Sequence, residues 1–115
     1  MEKFMYLFRG GMSSDQNTSP EAMQAHMQKW MQWMESLGKK GILVAGEPLQ
    51  TTGKQVNGKK KVVTDGPFVE AKETVGGYLI VNAKDINEAV EISKGCPIFD
   101  LDGKLEVRPV QKMEM

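Results

Sequence analysis

Large apolar and aromatic residues crowd Lys3 to Arg9 (KFMYLFR), with Gly10-Gly11 behind them, a pattern that predicts a first strand and its breaker. The chain then turns polar from Gly11 to Ser19. Ser19-Pro20-Glu21 supplies an N-cap, a proline at the first helical position and a first-turn acid, so a helix is predicted to start at Pro20. Met23, Met27, Trp30, Met34 and Leu37 recur at i, i+4, i+7, i+11 and i+14, one stripe of helical period that Gly38 is expected to end. Gly41 to Leu49 (GILVAGEPL) reads as a short apolar strand limited by Pro48. Asn57-Gly58, set between the extended-type residues of Gln55 to Thr64, predicts a small hairpin. After the turn-forming Asp65-Gly66-Pro67-Phe68 and a polar run, Thr74 to Asn82 (TVGGYLIVN) reads as a buried strand. Asp85 then caps a second helix, in which Ile86, Ala89, Val90 and Ile92 follow helical spacing until Gly95 and Pro97 stop it. Leu105 to Val110 (LEVRPV) closes as a last strand, with Pro109 at an edge.

The order β-α-β, hairpin, β-α-β is that of an α+β, ferredoxin-like antiparallel sheet with an inserted hairpin and both helices on one face. Helices cover one face only, yet the strands are apolar on both. Phe4, Tyr6 and Phe8 alternate with Met5 and Leu7, and Val75, Leu79 and Val81 alternate with Tyr78 and Ile80. An exposed apolar sheet of that extent is expected to be covered by a second copy in an isologous homodimer.

Length changes the picture little: 115 residues, 40% of them hydrophobic, suffice for a single domain spanning 1–115. Charge narrows it further, because fifteen basic against fifteen acidic residues leave none of the basic excess of a nucleic-acid or anionic-membrane binder. No apolar run approaches a membrane span, and MEKFMYLFRG lacks the long apolar stretch and cleavage site of a signal peptide. A cytoplasmic location is the expectation, without nucleic-acid or membrane partners. Lys39 to Thr64 holds six lysines against Glu47, with Lys59 to Lys61 consecutive, and reads as a solvated edge.

Candidate chemistry is sparse. The chain has one histidine, His26, and histidine is the side chain whose charge ordinarily changes near neutral pH, which makes His26 the natural proton-transfer group. It sits at the edge of the apolar stripe beside Trp33 and Leu37, where a ring either reaches a cleft or lies on the surface. Asp65 either closes its own turn or faces a ligand; Gly66 and Pro67 would fix that turn and Phe68 would anchor it. Glu47, at the end of an apolar strand, is placed to share a pocket with Tyr78 or the turn. Gly77, after Gly76, lets a neighbouring backbone or a ligand approach the sheet. The lone Cys96 at a helix C-terminus reads as an inert thiol, and one His with one Cys gives no metal-ligand spacing, so neither metal nor cofactor is expected.

The stretch VTDGPFVEAKETVGGYLIV resembles the signature of the YCII-related, YciI-like proteins that carry a DGPF motif, and the likeness extends to GILVAGEPL, the second helix and VRPV. The resemblance implies a ferredoxin-like subunit pairing into a dimeric α/β barrel. It also implies, in the better-studied branch, a His and Asp pair in a cleft, and in one relative the elimination of chloride from a hydroxyquinone. Here the histidine lies about one turn nearer the helix start, and Cys96-Pro97 stands where that Asp belongs, so an acid would have to come from Asp65, Glu47 or Cys96. The leading expectation is a small homodimer binding a small organic, aromatic ligand between sheet and helices, with weak acid/base, lyase-like chemistry by His26 aided by Asp65 or Glu47. Two alternatives stand beside it. One is an interaction module that binds a protein such as a sigma factor, and the other is cofactor-free monooxygenase-like activity.

Overall fold

The computed structural model describes residues 1–10, 19–50, 52–65 and 75–113. In chain order they form β1 (Glu2–Arg9), α1 (Pro20–Lys39), β2 (Leu43–Pro48), β3 (Gln55–Asn57), β4 (Val62–Thr64), β5 (Val75–Ala83), α2 (Ile86–Ser93), a 3-10 segment (Pro97–Leu101) and β6 (Lys104–Pro109). One four-stranded sheet runs β2-β5-β1-β6 with every neighbouring pair antiparallel, and β3 and β4 pair only with each other. Each half thus carries its chain over a central strand of the other half, the split β-α-β arrangement of the expected α+β, ferredoxin-like fold.

Capping fixes the helices where local chemistry says it should. Ser19 accepts a hydrogen bond from the Ala22 N–H at 3.1 Å, Pro20 occupies the first turn, and Asp85 accepts from the Glu88 N–H at 2.9 Å. The end of α1 differs from the sequence reading. Gly38 stays inside the helix, and Gly41, at φ +72°, terminates it: its N–H donates to the Gly38 carbonyl while the Ile42 N–H donates to that of Leu37. That pair of bonds is a Schellman motif, and it needs the left-handed residue two positions past the last helical one, so Gly41 and not Gly38 ends the helix. The predicted hairpin forms between Gln55 and Thr64. Asn57 pairs with Val62 as the last rung, leaving Gly58 to Lys61 as a four-residue turn with Gly58 and Lys61 both at positive φ. The 3-10 segment has no counterpart in the sequence reading. Its N-cap is Cys96, whose Sγ accepts from the Ile98 N–H.

Alternation sorts the sheet into two faces. Phe4, Tyr6 and Phe8 of β1, Leu79, Val81 and Ala83 of β5, and Leu105 and Val107 of β6 pack under Trp30, Trp33, Met34 and Leu37 of α1, Ala89 and Ile92 of α2, Cys96 and Ile98. Aromatic contacts knit this layer: Phe8 meets Trp30 edge-on at 5.1 Å, Trp30 meets Trp33 at 5.9 Å, and Tyr6 stacks on Trp33 at 6.4 Å. The molecule is 19 Å across its thin dimension, the depth of one sheet and one helical layer. No described element lies on the other face.

Candidate functional site

Register places the open face as a grid. Ala45, Ile80, Met5 and Arg108 form one row across β2, β5, β1 and β6, and Glu47, Tyr78, Leu7 and Glu106 form the next. Met5, Leu7, Tyr78 and Ile80, the centre of the grid, are each half-buried. The β6 flank is charged: Arg9 meets Glu106 at 3.3 Å, and Arg108 approaches the same carboxylate at 3.8 Å. Among the described residues the β2 strand of this face carries one charged side chain, Glu47.

Glu47 and Tyr78, expected to share a site, are direct cross-strand partners, which leaves their side chains about 5 Å apart at the Cβ atoms. Gly77 sits one residue away on the helix side, buried. A Cβ there would lie 3.0 Å from the Glu47 carbonyl oxygen and 3.2 Å from Pro48 Cα, so the close approach that Gly77 permits is that of β2 itself.

His26 and Asp65 are engaged elsewhere. The indole N–H of Trp30 donates to His26 Nε2 at 2.8 Å, so the neutral ring carries its proton on Nδ1 and its Nε2 lone pair is used inside α1. Asp65, highly exposed at the foot of the hairpin, accepts from Lys54 Nζ at 2.6 Å. No described contact joins either residue to the Glu47 and Tyr78 pair. Gly66, Pro67 and Phe68 lie outside the described residues. The space between sheet and helices, where a cleft was expected, is filled by the aromatic layer. A shallow depression of about 350 Å³ lies on the solvent side of α1, lined by Gln32, Glu35, Ser36, Lys39 and Lys40, none of them a candidate.

Cys96 is buried, and its thiol is pushed up to about 12, first by burial and then by the nearby Asp100 charge, with the Ile98 N–H bond pulling the other way. A thiol so protonated is a poor nucleophile and cannot replace a carboxylate acid near neutral pH. Cys96 is therefore expected to react with a disulfide reagent at pH 8 at least about 100-fold more slowly in the native protein than in denaturant. Stoichiometric native reaction within minutes would contradict this burial.

Among the described residues no group of three or more His, Cys, Asp or Glu is placed to hold a metal ion, and no helix is long and apolar enough to cross a membrane. A family model described as the YCII-related domain matches residues 10–114. The chain belongs to the YCII-related family. No curated protein matches this YCII-related chain. Among solved structures it is similar to 5-chloro-2-hydroxyhydroquinone dehydrochlorinase from Burkholderia phenoliruptrix AC1100, in complex with 2,5-dihydroxybenzoquinone. The two are 15% identical with a TM-score of 0.49, over 95% of this chain and 93% of that one.

The Trp30 bond to His26 is an i, i+4 pair on one helix face and was available from spacing alone, since an indole N–H one turn away is a ready donor to an imidazole. Arg9, Glu106 and Arg108 come from opposite ends of the chain, and no spacing rule joins them before the sheet is known.

Proposed function

We propose that this YCII-related protein is a homodimer closed over the open sheet face, and that it binds a small organic ligand with an aromatic ring at the end of that face marked by Glu47 and Tyr78. The observation that carries the reading is the row of Met5, Leu7, Tyr78 and Ile80 on a face that no described element covers. Charge supports a second copy as the cover. A two-fold axis in the interface, parallel to the strands, sets β2 of one copy over β6 of the other, so that Glu47 meets the flank of Arg9, Lys104 and Arg108, which outweighs Glu106. Tyr78 then offers a ring to stack against, and Glu47 an ionisable acceptor, at the rim of a dry apolar surface. Acid/base chemistry, if the bound molecule undergoes any, falls to Glu47 in this reading, because His26 Nε2 is held by Trp30.

Sedimentation of the full chain tests the first half. A mass twice 12.8 kDa is expected at micromolar concentration, falling to 12.8 kDa in Ile80→Glu with unchanged helix content, because that side chain faces the interface and not the core. A thermal-shift screen of aromatic acids and quinols tests the second. A bound compound at 100 times its Kd adds about 2.7 kcal/mol of stability, several degrees in Tm, and Glu47→Gln and Tyr78→Leu should each reduce the shift. A monomer at about 100 µM, well above an ordinary dimer Kd, would remove the dimer reading.

A further inference from the structure

β2 and β5 are antiparallel neighbours, a connection that two to five residues close in ordinary hairpins, yet residues 49–74 stand between them. Part of that connection is the β3–β4 ribbon, which among the described residues pairs only with itself. Its two sides are unlike. Gln55, Asn57 and Thr64 share one side with the exposed Val62 and are laced together, Gln55 Nε2 donating to Asn57 Oδ1 and Asn57 Nδ2 to Thr64 Oγ1. Val56 and Val63, directly opposite each other, share the other side with the Lys54–Asp65 pair and are 62% and 58% exposed. An isolated two-stranded ribbon is at best marginally stable in water, and one that turns a valine pair outward lacks the burial that would hold it.

Charge says what the ribbon can meet. Lys54, Lys59, Lys60 and Lys61 against Asp65 give residues 54–65 a net +3, so the remainder of this neutral chain carries −3. Ribbon and body are therefore electrostatic complements, and since the chain's own body leaves the valine pair exposed, the complementary body is that of another copy. The ribbon also starts at the right place. Leu49, just past β2, donates its N–H to the Gly76 carbonyl at 2.9 Å, pinning the base of the connection beside the Glu47 and Tyr78 row that borders the open face.

We propose that the β3–β4 ribbon is an arm that crosses onto a second copy of this chain, burying Val56 and Val63 on it and setting Lys59 to Lys61 among its carboxylates. This rests on the homodimer reading and adds to it a contact outside the paired sheets. Sedimentation of the full chain measures the dimer Kd in the wild type, in Val56→Thr with Val63→Thr, and in Lys59→Glu with Lys60→Glu and Lys61→Glu. Both variants keep the main sheet, which circular dichroism checks. Each is expected to raise Kd about tenfold or more, and the wild-type Kd should rise more steeply with salt than that of the lysine variant, which keeps only the contact of Glu47 with the β6 flank. Carbodiimide treatment of mixed ¹⁵N-labelled and unlabelled chains should join Lys59, Lys60 or Lys61 to carboxylates of the differently labelled chain. If Kd is unchanged in both variants and the arm lysines cross-link only within one chain, while Ile80→Glu still dissociates the dimer, the arm is overturned and the dimer stands. A wild type that sediments as a monomer overturns both.

Discussion

Tyr6→Ala is expected to remove at least about 3 kcal/mol of folding stability, and Tyr6→Phe about 1–2 kcal/mol. Tyr6 is fully buried on β1, a central strand, between Leu79 of β5 and Val107 of β6. Its ring stacks on Trp33 of α1, and its hydroxyl donates to the Ala89 carbonyl of α2, so one side chain joins the sheet to both helices. Truncation to alanine empties an aromatic-sized volume at that junction and leaves the Ala89 carbonyl without its side-chain donor. The phenylalanine variant keeps the ring and loses only the bond. Against a total stability of about 5–15 kcal/mol, the alanine variant is left near the margin of folding. Urea unfolding followed by circular dichroism reads both, with the midpoint of Tyr6→Ala well below that of Tyr6→Phe. Equal midpoints would mean that the ring contributes little and that the helices are held to the sheet elsewhere.

The same residue shows which levels of organisation could be read in advance. Alternation of Phe4, Tyr6 and Phe8 with Met5 and Leu7 was enough to place Tyr6 on the helix face, because strand periodicity is a local property. Helix starts were legible for the same reason: Ser19 and Asp85 cap through side chains within three residues of the bond they accept. Ends were less so. Gly38 and Gly41 are equally good terminators on composition, and the choice between them fell to where Ile42 and Leu37 enter the core. The 3-10 segment escaped because it depends on the Cys96 sulfur accepting a backbone bond, an unusual cap with no composition signal. For the candidate site, the pairing of Glu47 with Tyr78 could be anticipated from two strands of the same sheet. The engagement of Asp65 could not, since it depends on Lys54, which reads first as a solvated charge, whereas the bond from Trp30 to His26 follows from i, i+4 spacing.

Alkaline unfolding should expose the other consequence of this core. Burial raises the Cys96 thiol from its ordinary 9.0 to about 12, and burial followed by the Cys96 charge raises the Tyr6 phenol. Both groups fold as neutral acids. Below pH 9 they are protonated in folded and unfolded chains alike and contribute no pH dependence. Above pH 9 the unfolded chain gives up the Cys96 proton while the native one keeps it, and from pH 10 the tyrosine follows, so the unfolded state binds fewer protons and stability falls as pH rises. The slope is about 1.4 kcal/mol per pH unit for one group and about twice that once both titrate, or roughly 4 kcal/mol lost by pH 11. Cys96→Ala should flatten the first part of that loss while lowering stability at neutral pH through the cavity it leaves. The chain has two tyrosines, so in Tyr78→Phe the phenolate absorbance belongs to Tyr6 alone. That absorbance is expected to rise only together with the loss of helical circular dichroism. Ionisation near pH 10 in a chain that keeps its helices would instead mean that water reaches the Tyr6 hydroxyl, and that the Ala89 contact does not seal the layer between sheet and helices.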